Sequence, residues 1–186
     1  MIPTFTVVAG KSTLTRLGRE AFQESPVFDP DAIARSLRAT GAGGGSAIDA
    51  GREVLRRAEQ LLEAKQSFLI ETTLSGNTYL RMMSRAKAAG YLVILIYVGT
   101  DDVANNIQRV QRRVQSGGHD VPEEDQLRRY PRSLANFARA FELADEGLVF
   151  DNSTSLGHVL LAEKNKGAVT IFGDLPAWAA FPRGQE

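Results

Sequence analysis

The sequence predicts an α/β fold built on a doubly wound, mainly parallel five-stranded sheet that ends in a C-terminal β-hairpin. Three observations carry this expectation. Short apolar runs rich in β-branched residues alternate five times with segments of helical periodicity. The run Leu92 to Val98 is apolar at every position, as in a strand covered on both faces. Finally, Asn165-Lys166-Gly167 separates the last two strand-like runs with residues suited to a tight turn.

Phe5-Thr6-Val7-Val8-Ala9 reads as a central first strand, closed by Gly10. Lys11 to Gln23 carries Leu14, Leu17 and Phe22 at helical spacing, and Val27-Phe28-Asp29 forms a second short strand. Asp29 suits an N-cap and Pro30 the first turn of a helix that buries Ile33, Ala34 and Leu37. Gly41 to Gly45 is a short loop, after which Ser46 caps a helix to about Lys65. Phe68-Leu69-Ile70 is the third strand, followed by a helix with Tyr79, Leu80, Met83 and Ala86 inward until Gly90. After the fourth strand, Val103, Ile107, Val110 and Val114 define a helix that projects Arg109, Arg112 and Arg113 from its other side. Asp120 and Glu123 resemble a capping box, and Pro131 is expected to break the next helix into pieces at Leu127 to Tyr130 and Leu134 to Leu143. Leu148-Val149-Phe150 is the fifth strand; Trp178 and Phe181 lie on a last short amphipathic segment.

The 186 residues suit a single domain, 1–186. With 22 basic and 22 acidic side chains, no overall field favours nucleic acid or an anionic membrane, so any anion site must be local. The absence of cysteine excludes disulfides, thiolate metal sites and thiol catalysis, and suits a reducing, cytoplasmic compartment. No apolar run reaches the 18 or so residues of a membrane-spanning helix, and the N-terminus lacks the pattern of a signal peptide.

Gly10-Lys11-Ser12-Thr13, after a strand and opening a helix, has the form of the end of a P-loop. There, backbone N–H groups cradle phosphates, the lysine reaches the β- and γ-phosphates and the next hydroxyl, Ser12, holds magnesium. An ordinary helix start is the alternative. The full pattern needs a glycine five residues before Gly10, where Phe5 stands inside the strand. Either the loop is shortened, or the written chain omits residues and one Cα–Cα step between Val8 and Ser12 exceeds the ~3.8 Å of a trans peptide; the second is expected. Arg112, Arg113, Arg128 and Arg129 flank a glycine-rich turn as in a lid, about residues 112–132, with Arg113 and Arg128 favoured as the phosphate-facing pair. Asn152, after the fifth strand, could approach an adenine or form a turn. His119 and His158 read as loop residues.

Over nearly its whole length the chain resembles the zeta toxin family and its short P-loop kinase relatives. The residues that carry this are Phe5 to Thr13, Asp29-Pro30-Asp31-Ala32-Ile33-Ala34, Phe68 to Ser75, Gly117-Gly118-His119-Asp120-Val121-Pro122 and Arg128 to Leu134. The family's loop is longer by about five residues at Gly10. The resemblance implies a P-loop kinase-type sheet, ATP and Mg²⁺ as cofactors, and transfer of a γ-phosphoryl group to a hydroxyl of a UDP-amino sugar. It implies Asp31 as base, Glu71 and Thr73 in the acceptor pocket, and an antitoxin protein as partner. Two residues after Thr73, where zeta toxins have an arginine, this chain has Ser75. The expected function is ATP-dependent phosphoryl transfer to a small molecule. Lys11, Asp31, Arg113 and Arg128 are the catalytic residues, and Gly10, Lys11, Ser12, Thr13 and Asn152 hold nucleotide. The alternatives are an NTPase, a nucleotide kinase, or an inactive protein that kept the fold.

Overall fold

The computed structural model of the chain describes residues 2–9, 25–40, 47–117, 120–154 and 157–179. β1 (Thr4–Ala9) pairs in parallel with β3 (Phe68–Thr72) on one side and β4 (Leu92–Gly99) on the other, and both ladders continue to Ala9, opposite Thr72 and Tyr97. The sheet has seven strands in the order β2-β3-β1-β4-β5-β6-β7, with β2 (Val27–Phe28), β5 (Glu146–Asp151), β6 (Val159–Asn165) and β7 (Ala168–Ile171). β1 to β5 are parallel; the expected hairpin, β6 and β7, adds antiparallel strands to the same sheet beside β5. Its turn residues Lys166 (φ 48) and Gly167 (φ 88) both take the left-handed conformation that matches strand twist. Among the described residues no helix is long and apolar enough to cross a membrane.

The helices are α1 (Pro30–Thr40), α2 (Ala47–Glu63), α3 (Asn77–Ala88), α4 (Val103–Gln115) and α5 (Glu123–Leu143). The chain steps from β2 to β3, β4 and β5 in one direction across the sheet, so right-handed crossovers put these helices on one face. Burial agrees with that. Phe5, Val7, Phe68, Ile70, Val93 and Leu95 share a core with Val54, Ala58, Met83, Phe137 and Phe141 from the helices. Alternate strand positions, Val8, Leu69 and Ile96, form a smaller cluster on the opposite face. β1 leads away from its carboxyl end towards β2 and β4 leads away towards β5, which leaves a crevice beyond the end of β1, where α/β sheets bind ligands.

Two local expectations are corrected. α5 is one helix and runs through Pro131. Pro131 and Leu127, whose carbonyl loses its partner, are both exposed, so water can satisfy that group. Nor do Asp120 and Glu123 form a capping box: Pro122 is the N-cap, without a side-chain cap bond, and Glu123 is the first helical residue. Glu123, Glu124 and Asp125 instead place three acids in the first turn, against the positive end of the helix dipole. The expected long step between Val8 and Ser12, the helix over Lys11 to Gln23, the Gly41 to Gly45 loop and the Ser46 cap lie outside the described residues, as do His119 and Phe181.

Candidate functional site

A cleft of about 340 Å³ opens beyond the carboxyl ends of β3, β4 and β5. Its floor is Thr72 and Thr73 after β3, Tyr97 to Thr100 at the end of β4, and Asn152 and His158 after β5. Its wall is two helical stripes, Asn106, Arg109, Val110 and Arg113 from α4, and Gln126, Arg129, Tyr130 and Ser133 from α5. Each stripe follows the i, i+3, i+4, i+7 spacing of one helix face. The apolar positions of α4 therefore do not enter the core: none of its residues is buried, and Val110 faces the cleft. Among the described residues, three guanidinium groups line the cleft and no carboxylate does.

The floor and the α5 wall are tied together. Tyr130 donates its hydroxyl hydrogen to the Thr100 carbonyl at 2.8 Å, and the Tyr97 and Ser133 hydroxyls are hydrogen-bonded at 3.0 Å. One turn further along α5, Asn136 Nδ2 donates to the Leu74 carbonyl at 2.9 Å. Leu74 is fully buried and has φ 54, a left-handed conformation unusual for leucine. Its N–H donates to Thr72 Oγ1 at 3.0 Å, and Thr73 Oγ1 and Ser75 Oγ are bonded at 2.9 Å. This turn brings Thr73 to the cleft. The far end of α5 is held by Lys164, whose Nζ donates to the carbonyls of Phe141, Glu142 and Ala144 at 2.8, 3.1 and 2.6 Å.

A second network fixes the β5 end. A short 3₁₀ turn (Ala177–Ala179) places Trp178 against Tyr97 and Phe137, with ring centroids 5.9 and 6.0 Å away. The indole covers Gly99, where any Cβ would overlap the ring, so only glycine allows this approach. Trp178 Nε1 donates to Asp151 Oδ1 at 3.1 Å; the same carboxylate accepts from Ser153 Oγ at 2.6 Å, and that oxygen accepts from the Asp101 N–H at 3.0 Å. Arg109 Nη2 donates to the Asn152 carbonyl, which sets its guanidinium at the cleft's edge.

Burial pushes the Tyr97 hydroxyl up to about 12, opposed by its bond to Ser133. Burial also raises Tyr130, with Asp101 and Asp102 adding to the effect, so both tyrosines are neutral donors at physiological pH. His158 is lowered by burial and by Arg109, which favours its uncharged form. The positive charge of the cleft thus resides on its arginines.

Of the residues expected to act, Thr73, Arg113 and Asn152 come together in this cleft. Arg128 does not line it: its side chain is 54% exposed and paired with Asp125, whereas Arg129, paired with the same carboxylate at 2.9 Å, does face the cleft. Glu71 is not among the lining residues; it alternates with Thr72 along β3 and falls on the sheet face of Leu69. Asp31 falls in the first turn of α1, but its side chain lies outside the described residues, as do Gly10, Lys11, Ser12 and Thr13. Sequence reasoning missed Tyr97, Tyr130 and Ser133, and with them the Asn136 hold on Leu74.

The cleft suits the polyphosphate arm of ATP in size, charge and place. Among the described residues the cleft lining includes no carboxylate, and no group of three His, Asp or Glu could hold a metal ion.

A mainly parallel sheet of this order, with a crevice beyond the carboxyl ends of its strands, defines an α/β protein of the P-loop kinase fold class. Residues 8–157 match the model of the zeta toxin family, and the chain belongs to that family. It is 36% identical to an uncharacterized protein of Haemophilus influenzae over 122 residues, 66% of this chain and 85% of the other. In fold it is similar to a chain of the PezAT chromosomal toxin-antitoxin system of Streptococcus pneumoniae (TM-score 0.58, 16% identity, covering 85% of this chain and 70% of that one). It is also similar to a chain of the AvrRxo1-ORF1:AvrRxo1-ORF2 complex solved with ATP (TM-score 0.61, 15% identity, covering 91% of this chain). The chain spans 60% of the length of that protein. Family membership supports nucleotide-dependent phosphoryl transfer by a P-loop kinase-type enzyme.

Proposed function

We propose that this chain transfers the γ-phosphoryl group of ATP to a hydroxyl of a small molecule, with a nucleotide sugar as the favoured acceptor class. The observation that carries this reading is the cleft itself: among the described residues, three guanidinium groups and no carboxylate line it together with Thr73, at the carboxyl ends of the strands. ATP, when bound, supplies the transferable phosphoryl group. Arg113 and Arg129 offset its charge, Thr73 orients the acceptor through its hydroxyl, and Asp31 takes the proton of the attacking hydroxyl. The PezAT toxin-antitoxin system, one of whose chains has a similar fold, supports an antitoxin protein as partner.

The test is transfer from labelled ATP across a panel of nucleotide sugars, with nucleoside monophosphates and water as competing acceptors. Asp31→Asn should lower transfer by about 10² or more while leaving ATP affinity unchanged. Undiminished turnover in that variant would remove Asp31 as the base. One observation favours a second reading, a protein that binds nucleotide without catalysis: both ladders of β1 run to Ala9, through the residues where the first half of a P-loop would stand. ATP binding without transfer to any acceptor would establish it.

A further inference from the structure

We propose that two copies of this chain associate through β7, joining their sheets edge to edge in antiparallel register about a twofold axis at Thr170. The inference is independent of the cleft and of the proposed activity.

β7 is the last strand in the sheet order and, among the described residues, pairs only with β6. In an antiparallel ladder, residues that exchange backbone bonds with their partner alternate with residues whose N–H and C=O point the other way. The Phe172 N–H donates to the Leu161 carbonyl at 2.8 Å, so the β7 residues in phase with it, Ala168 and Thr170, also turn their backbone groups towards β6. Val169 and Ile171 therefore turn theirs outwards. Native edges are commonly guarded by proline, by charged residues or by a bulge. β7 has none of these: its sequence is Ala-Val-Thr-Ile, and the register shift falls between β5 and β6. Ala168, Thr170, Ile171 and Phe172 are all exposed.

The register follows from which face each residue occupies. Lys164 reaches the carboxyl end of α5, and Val169, opposite Lys164, packs on the main core. Val169 and Ile171 thus lie on the helix side of the sheet and Thr170 on the other. A second copy that keeps its helices on the same side must set helix-side residues against helix-side residues. Centring on Thr170 does so and matches the backbone as well. Val169 and Ile171 of one copy then oppose Ile171 and Val169 of the other and exchange bonds on both sides of the axis, while Thr170 meets its own counterpart as a non-hydrogen-bonded pair. Centring on Val169 or on Ile171 instead opposes Ile171 to Gly167 or Val169 to Gly173, and both glycines are left-handed (φ 88 and φ 83), so one of the bonded pairs is lost. Because β7 runs in the same direction as β5, the twofold axis sets the two clefts at opposite edges of the joined sheet and leaves both open.

So short a contact falls below the roughly 1,200 Å² of a stable interface, so the dimer is weak and appears with concentration. Sedimentation equilibrium of the full chain from about 10 µM to about 1 mM should show the average mass rising towards that of a dimer. Ile171→Pro removes an outward N–H that β6 does not use, and by symmetry each dimer loses that bond twice, so the midpoint should move at least about tenfold higher. Thr170→Lys, at an exposed position, sets like charges face to face across the axis and should act in the same direction. Thermal melting confirms that each variant is folded. Register is read separately. The chain has no cysteine, so Thr170→Cys supplies a single thiol whose counterpart has its Cα about 4.5 Å away, within reach of a disulfide. Mild oxidation should link that variant into a dimer and leave Ala168→Cys unlinked, because the Ala168 positions lie about 14 Å apart along the paired strands. A monomer at every concentration overturns the proposal, and so does association that Ile171→Pro and Thr170→Lys both leave unchanged, which would place the contact on another surface. Linking at position 168 as readily as at position 170 overturns the register.

Discussion

Replacing Asn136 by aspartate tests whether α5 holds the turn after β3 in its unusual conformation. The substitution keeps volume and shape and changes one thing: the group facing the Leu74 carbonyl, now an N–H donor at 2.9 Å, becomes an acceptor. A neutral hydrogen bond contributes about 1 kcal/mol net, and a partly buried carbonyl left without a donor costs roughly 1–3 kcal/mol. Leu74 adds to this, because a non-glycine residue at φ 54 stores on the order of 1–2 kcal/mol that the surrounding bonds must offset. Burial of the leucine side chain, worth roughly 1.5–3 kcal/mol, keeps it in place but does not fix the peptide beside Thr73. The expected loss is about 2–3 kcal/mol. For a chain of this size that is a fall in Tm of roughly 5–10 °C. Calorimetric melting of Asn136→Asp at pH 8 and at pH 5 reads it directly. A protonated carboxyl can donate to Leu74 again, so the new group should titrate higher in the folded state than in the unfolded one. Its stabilising contribution is then present at low pH and lost as pH rises through the folded value, and the deficit should be smaller at pH 5. Hydrogen exchange of the Leu74 amide, which donates to Thr72 Oγ1, should speed up. Melting within about 1 °C of wild type at both pH values would refute the reasoning.

Gly99→Ala would force the indole of Trp178 away from the end of β4 and break its bond to Asp151; over-packing of this kind costs about 1–3 kcal/mol. A red-shifted tryptophan emission and a lower Tm are expected, and an unchanged spectrum would show that the indole does not need that gap. Burial raises the Asp145 carboxyl, but Lys87 at 2.6 Å and the Val93 N–H at 3.0 Å outweigh it and hold the group below the usual carboxylate range. Its contribution is therefore present above the unfolded value and lost as pH falls through the folded one. Urea unfolding between pH 6 and pH 3 should show a shallower acid loss in Asp145→Asn than in wild type, and parallel profiles would contradict this.

How much of the molecule was legible in its letters depends on whether the controlling interactions are local. The parallel strands were, because β4 and β1 must be apolar to lie inside a covered sheet, and the hairpin was, because Lys166-Gly167 suits a turn with two left-handed residues. Pro131 misled because the rule against proline inside a helix presumes a dry backbone, and here the affected carbonyl belongs to an exposed leucine. Helix phase separates the neighbouring arginines. Asn106, Arg109 and Val110 set a phase on α4 that includes position 113 and leaves out 112; Gln126, Tyr130 and Ser133 set one on α5 that includes 129 and leaves out 128. Phase decides which of two adjacent arginines faces a cleft, because successive residues on a helix point about 100° apart. By contrast, no local pattern relates Trp178 to Gly99 or Asn136 to Leu74. Those pairs are 79 and 62 positions apart in the chain and meet only because the sheet order brings the ends of β3, β4 and β5 side by side. The same reasoning bears on the loop after β1. A P-loop is local in sequence, so its shortening is visible there, whereas the meeting of α4 and α5 at one cleft is a property of the folded sheet. That is why the letters at Gly10 suggest a defect, while the three arginines that line the cleft among the described residues could be grouped only from the fold.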